Sequence, residues 1–174
     1  LGNPDSWRAA LPFRGDFFYQ PRRNFFRLGA AFLWAGYPER SLQYLEEEVR
    51  RSPGNAVALM AIAQIHLEAN RMEPARKFAD DALRVNPSLA GAWNTLGGFA
   101  LEEGKFEEAL TAYRRAMSIQ PDMRAAVVNA AQTYARLSRT AEAEELFRKA
   151  LAMDPGDSET CDQLGLLLAK DGRN

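Results

Sequence analysis

Residues Ala90 to Met123 read AGAWNTLGGFALEEGKFEEALTAYRRAMSIQPDM, and this stretch decides the architecture. Trp93, Leu96, Gly97 and Ala100 fall at i, i+3, i+4 and i+7, the spacing of one helix face. Gly104 breaks that helix, and Lys105 and Phe106 lead into a second stripe through Ala109, Tyr113, Ala116 and Met117. Pro121 ends the second helix, because the residue before a proline is pushed out of the α region. The spacing predicts a hairpin of two roughly 14-residue helices, each about 21 Å long at 1.5 Å per residue.

The same pattern recurs on both sides. Pro53, Pro87, Pro121 and Pro155 stand 34 residues apart, dividing the chain into units 22–55, 56–89, 90–123 and 124–157. A partial unit starts at Ser158. Small residues keep the period: Gly29, Ala63, Gly97, Ala131 and Gly165 at the eighth place, and Ser41, Ala75, Ala109 and Ala143 at the twentieth. The twenty-seventh place holds Glu48, Ala82, Ala116 and Ala150. Large apolar residues fall between them, as at Phe25, Leu59 and Trp93 or Leu28, Ile62, Leu96 and Leu164. Small side chains let two helices approach, and large ones fill the remaining gaps.

Trp93-Asn94-Thr95-Leu96-Gly97, Gly104-Lys105-Phe106, Ala109, Tyr113, Ala116 and Pro121 together resemble the tetratricopeptide repeat (TPR) family, over about 22–172. The resemblance implies an all-α, right-handed superhelix of helix hairpins, a TPR solenoid whose family binds partner proteins. The domain division is an aromatic-rich arm over 1–21 and a repeat domain over 22–174, in which 158–174 forms a partial unit or capping helix. Departures from the pattern have readable consequences. Pro38 and Pro74 suit the first turn of a second helix, where a missing N–H costs nothing. Glu48 loosens packing or points outward, and Phe78 fills the space that Ala79 leaves.

The ends depart further. The arm holds Trp7, Phe13, Phe17, Phe18 and Tyr19, broken by Pro4, Pro12 and Pro21. So many aromatics in one arm are expected to be covered. The arm is read as an irregular or short-helical cap over Phe25, Leu28 and Phe32. It could instead lie in a groove of its own or another molecule, or join an upstream domain. At the other end Cys161, Leu164 and Leu168 occupy places that a following second helix would contact, and Asp171-Gly172 has the composition of an inter-helix turn. Further repeats are expected beyond Asn174.

In the TPR pattern the concave wall comes from the first helices, at places two, five, six, nine, twelve and thirteen. Carried over, the wall includes Phe26, Arg27, Leu33 and Trp34, then Met60, Gln64, Leu67 and Glu68. It continues through Asn94, Thr95, Leu101 and Glu102 to Val128, Asn129, Gln132 and Arg136. The candidate binding residues are Phe26, Arg27, Trp34, Met60, Gln64, Asn94, Asn129, Gln132 and Arg136. Amides such as Asn94, Asn129 and Gln132 can bond a peptide backbone of any sequence, and Trp34, Phe26 and Met60 offer apolar contact. One TPR subclass grips terminal carboxylates with a lysine, arginine and asparagine cluster. Here Arg27 and Arg136 lie far apart without a lysine, so that ligand class is not expected.

Composition excludes other readings. With 22 basic and 23 acidic residues the net charge is −1, against a general nucleic-acid binder. One histidine and one cysteine cannot form a His/Cys metal cluster or an internal disulfide framework. No apolar run approaches the roughly 20 residues of a membrane-spanning helix. His66 and Cys161 read as buried packing residues, Gly97-Gly98 as a close-packing pair, and Glu46, Glu47, Glu48, Glu144 and Glu145 as solvated partners of nearby arginines. Nothing assembles a nucleophile, base and oxyanion site, so no enzyme, metal or cofactor is expected. The expectation is a protein-interaction module that takes a peptide or protein segment in its concave groove. The alternatives are a head-to-tail self-assembling scaffold, making the chain a homo-oligomer, or an accessory domain of a larger enzyme or membrane protein. The compartment is not fixed, with the cytoplasm favoured over the periplasm.

Overall fold

The computed structural model describes residues 24–172, and the arm over 1–21 lies outside them. All the described elements are α-helices. The first helices of the units are α1 (Asn24–Trp34), α3 (Ala56–Glu68), α5 (Ala90–Glu102), α7 (Arg124–Arg136) and α9 (Ser158–Lys170). The second helices are α2 (Pro38–Arg51), α4 (Met72–Val85), α6 (Phe106–Ile119) and α8 (Thr140–Met153). Each first helix packs on its own second helix, each second helix meets the next first helix, and α5 also touches α7. This is the right-handed solenoid that the 34-residue period implies.

Turn chemistry repeats with the period. Ser52, Asn86, Gln120 and Asp154, each preceding a unit's proline, leave the helix with φ between −131° and −143°. The inter-helix turn always needs a left-handed residue at place fifteen: Gly36, Gly104 and Gly172 have φ of 72–79°, and Asn70 and Ser138 have 57°. Glycine adopts this conformation without strain, asparagine tolerates it, and serine is held there at a cost. Pro38 takes the first turn of α2, as its lack of an N–H allows.

Packing explains the small residues. A Cβ on Gly97 would sit 2.5 Å from Cε1 of the fully buried Tyr113, and one on Gly29 would sit 2.7 Å from Cγ of Leu45. Both pairs join place eight of a first helix to place twenty-four of its second helix, so the missing side chain is the space for the large one. At place twenty, Ala75, Ala109 and Ala143 are fully buried, and the Ser41 hydroxyl in the same place donates to the Gly29 carbonyl at 2.7 Å. Two apolar clusters result. One gathers Leu42, Leu45, Ala58, Ile62 and Ile65, and the other runs from Ala100 and Tyr113 through Tyr134 and Phe147 to Leu167. Phe78 packs against the first cluster and stacks on His66, ring centres 5.7 Å apart. His66 is buried, as expected, although its Nδ1 has no partner.

Four expectations are corrected. Glu48 does not point outward: it is buried and accepts a hydrogen bond from Asn55 Nδ2 at 2.9 Å. Glu144 is likewise buried while pairing with Arg148, so its carboxylate is not a solvated one. Cys161 is exposed, because no described helix covers the side of α9 that Val127 in the same place turns into the core. Gly98 is not a close-packing residue, since a Cβ there would meet only the Tyr113 hydroxyl, at 4.0 Å.

Adjacent glycines therefore respond in opposite directions. Gly97→Ala should cost about 1–3 kcal/mol by forcing Tyr113 aside. Gly98→Ala should gain about 0.5–1 kcal/mol, the ordinary advantage of alanine inside a helix. Denaturant unfolding of both variants checks this, and a stabilised Gly97→Ala protein contradicts the packing. Ser138→Gly should add about 1 kcal/mol by relieving the left-handed turn.

Candidate functional site

First helices succeed one another along the inner wall, and side chains at non-equivalent places tie them together. Asn129 Nδ2 on α7 donates to Asn94 Oδ1 on α5 at 3.0 Å. One step further, Gln132 Nε2 on α7 donates to Gln163 Oε1 on α9, also at 3.0 Å. Gln163 Nε2 then donates to Glu159 at 3.2 Å, and Gln64 Nε2 donates to Glu68 at 3.0 Å within α3. Each amide carries one donor group and one acceptor group. The Asn94–Asn129 bond therefore uses neither the Asn94 amide N–H nor the Asn129 side-chain carbonyl.

Four of the candidates are thus hydrogen-bonded: Asn94, Asn129 and Gln132 across helices, and Gln64 along its own. Phe26 and Leu33 are half-buried and pack against the Leu42–Ile65 cluster, so Phe26 contributes to the core as much as to the wall. Met60 is half-buried and Arg27 exposed. Trp34, the last residue of α1, is 94% exposed. Two further exposed apolar residues occupy wall places, Val57 at 54% and Leu166 at 72%. Gln163, Glu159 and Leu166 were missed by reading the wall over complete units only. Counting the same places one unit further reaches all three.

Charge on the wall is ordered by the ends of the first helices. Glu102 closes α5 and Arg136 closes α7, both exposed, with the hydroxyl of Tyr113 within the field of both. Burial pushes that hydroxyl from its ordinary 10.0 up to about 12, Arg136 pulling it down and Glu102 pushing it up. Elsewhere ion pairs form both within and between units, such as Lys105 with Glu103 at 2.9 Å and Arg71 with Glu39 at 3.2 Å. Arg139 lies 4.7 Å over the Tyr134 ring and pairs with Glu142 at 2.7 Å, stitching α7 to α8. Among the described residues, no three metal-ligating side chains gather, and no helix is long and apolar enough to cross a membrane.

Comparison with known proteins fits this geometry. The Tetratricopeptide repeat pattern matches residues 100–170, and a second pattern of the same description matches 26–90 and 75–124. The chain belongs to the tetratricopeptide repeat family, whose members are protein-interaction modules. No curated protein matches its sequence. Among solved structures it is similar to TTC0263, a thermophilic TPR protein of Thermus thermophilus, at 22% identity and TM-score 0.67 over 87% of this chain and 84% of that one. It is also similar to the segment of MamA from residue 41 to the end, from Desulfovibrio magneticus RS-1, at 19% identity and TM-score 0.76 over 87% and 85%. YrrB, described as a TPR protein with an unusual peptide-binding site, matches at 16% identity and TM-score 0.73 over 88% and 79%. At these identities the likeness is one of fold.

The raised Tyr113 hydroxyl has a consequence for stability. Its neutral form is favoured by folding, so the contribution is complete below about pH 10 and is lost as pH climbs through about 12. The full loss is about 3 kcal/mol, at 1.36 kcal/mol per pH unit of displacement. Unfolding free energies between pH 9 and 11 should fall faster for the parent than for Tyr113→Phe. Parallel slopes would refute the assignment.

Proposed function

We propose that this chain is a non-catalytic adaptor that holds an extended peptide or protein segment along the concave wall of α1, α3, α5, α7 and α9. The observation that carries the reading is the Asn94–Asn129 bond, which fixes two amides between successive first helices and uses neither the Asn94 N–H nor the Asn129 carbonyl. A peptide backbone offers the complementary carbonyl and N–H at every residue, so such a pair grips main chain without dictating sequence. Rigid helices place these groups before the ligand arrives, limiting the entropy lost on binding. The exposed rings and chains of Trp34, Val57 and Leu166 add apolar contact at wall places. YrrB, with its peptide-binding site, shares this fold and lends the reading support by analogy.

Peptides selected on the protein from a random displayed library provide the test. The double variant Trp34→Ala with Asn129→Ala should bind them at least about tenfold more weakly, or roughly 1.4 kcal/mol, by fluorescence anisotropy. Undiminished affinity would place the peptides elsewhere and remove the concave-wall reading.

A further inference from the structure

The last residues of the five first helices form a sequence of their own: Trp34, Glu68, Glu102, Arg136 and Lys170. All five are exposed and share place thirteen of the unit. The row therefore runs apolar, acidic, acidic, basic, basic along the solenoid. Building on the concave-wall reading, we propose that it selects a peptide whose apolar residue is followed by two basic and then two acidic side chains, spaced to meet successive repeats.

Two of these charges are accounted for by the helices that carry them. The C-terminal end of a helix bears partial negative charge from its unsatisfied carbonyls, which favours Arg136 and Lys170 there. Glu68 and Glu102 stand against the same field. No cation among the described residues lies within ion-pair distance of either: Glu68 receives only the Gln64 amide, and Glu102 receives no hydrogen bond. The contrast with Glu103 is direct, since that adjacent carboxylate is bonded by Arg76 and held at 2.9 Å by Lys105. Folding alone thus gives no reason for two carboxylates without a cationic partner at these helix ends, whereas cations on a partner would.

The spacing follows from the solenoid. Adjacent packed helices lie roughly 10 Å apart, about three residues of extended chain at 3.3 Å each. A matching ligand therefore carries its charges about every third residue. Among the described residues three other wall charges, Arg27, Glu159 and Asp162, lie at different places, and Glu159 is already engaged by Gln163. The occupant is an extended peptide, because the row follows the inner wall where the Asn94–Asn129 pair offers main-chain bonds.

Labelled synthetic peptides test the order. In one pair leucine adjoins two lysines, followed by two aspartates at three-residue spacing, made in both chain directions. In the other pair leucine adjoins the aspartates. At about 50 mM salt, the better lysine-first peptide should bind at least about tenfold more tightly than either aspartate-first peptide, and about 0.5 M salt should erase the difference. Exchanging the charges in Glu102→Lys with Arg136→Glu should remove or invert the preference. Glu102→Gln should raise the melting temperature while weakening the lysine-first peptide, which a purely structural carboxylate would not do. Equal binding of both pairs overturns the charge order. So does failure of both while library-selected peptides still bind through Trp34, in which case the concave wall itself stands. A salt-sensitive dimer by sedimentation that Glu102→Lys abolishes would put a second copy on the row and overturn the peptide.

Discussion

Close approach between the two helices of a hairpin, made possible where the first helix gives up its side chain, governs everything else in this protein. Tyr113 lies where the side chain of Gly97 would be, and Leu45 lies where that of Gly29 would be. In the other two complete units, alanines hold place eight while Ala79 and Phe147 hold place twenty-four, with all four residues buried. The volume of the pair is thus redistributed between the helices from one repeat to the next. Phe78, next to the small Ala79 in sequence, stacks on His66 and packs against the Leu42–Ile65 cluster. Close packing of this kind penalises both cavities and excess volume, so the two places are coupled rather than separately chosen.

Hairpins joined in this way bury their faces only against neighbours, and stability becomes approximately a sum of local terms. Labour is divided accordingly. Second helices carry most of the ion pairs, such as Glu47 with Arg51 at 2.5 Å and Arg148 with Glu144 at 2.7 Å, and their alanines form the packed seams. First helices turn one side to those seams and the other to the inner wall. There the bonds run from repeat to repeat, Asn94 with Asn129 and Gln132 with Gln163. A wall bonded in this way resists the splaying that would otherwise disperse its polar groups.

The hairpins and their order were legible because period and turn chemistry both repeat: Pro53, Pro87, Pro121 and Pro155 follow the second helices, and a left-handed residue follows every described first helix. Less legible was anything that depends on a neighbour at a different place. Asn94 sits at place five and Asn129 at place six, so lining up equivalent residues never sets them side by side. Asn55 rescues Glu48 from seven residues away, across the connection to the next unit, and a scan for alanine at place twenty-seven sees only a violation. Cys161 shares its place with the fully buried Val127, yet a place predicts burial only where a neighbouring helix supplies the other wall.

Gly97 and Gly98 bring these lines of reasoning together. They are consecutive, identical and in one helix, so neither composition nor helix propensity distinguishes them. A turn of about 100° around the helix separates their directions, and this alone assigns one to the hairpin seam and the other to the wall. At Gly97 a methyl group would strike the Tyr113 ring at 2.5 Å, whereas at Gly98 the nearest contact is a hydroxyl at 4.0 Å. The seam position is dictated by the fold and would be needed whatever the protein bound. The wall position is one that folding leaves unconstrained, and side chains in such positions are where binding specificity can vary without disturbing the stack.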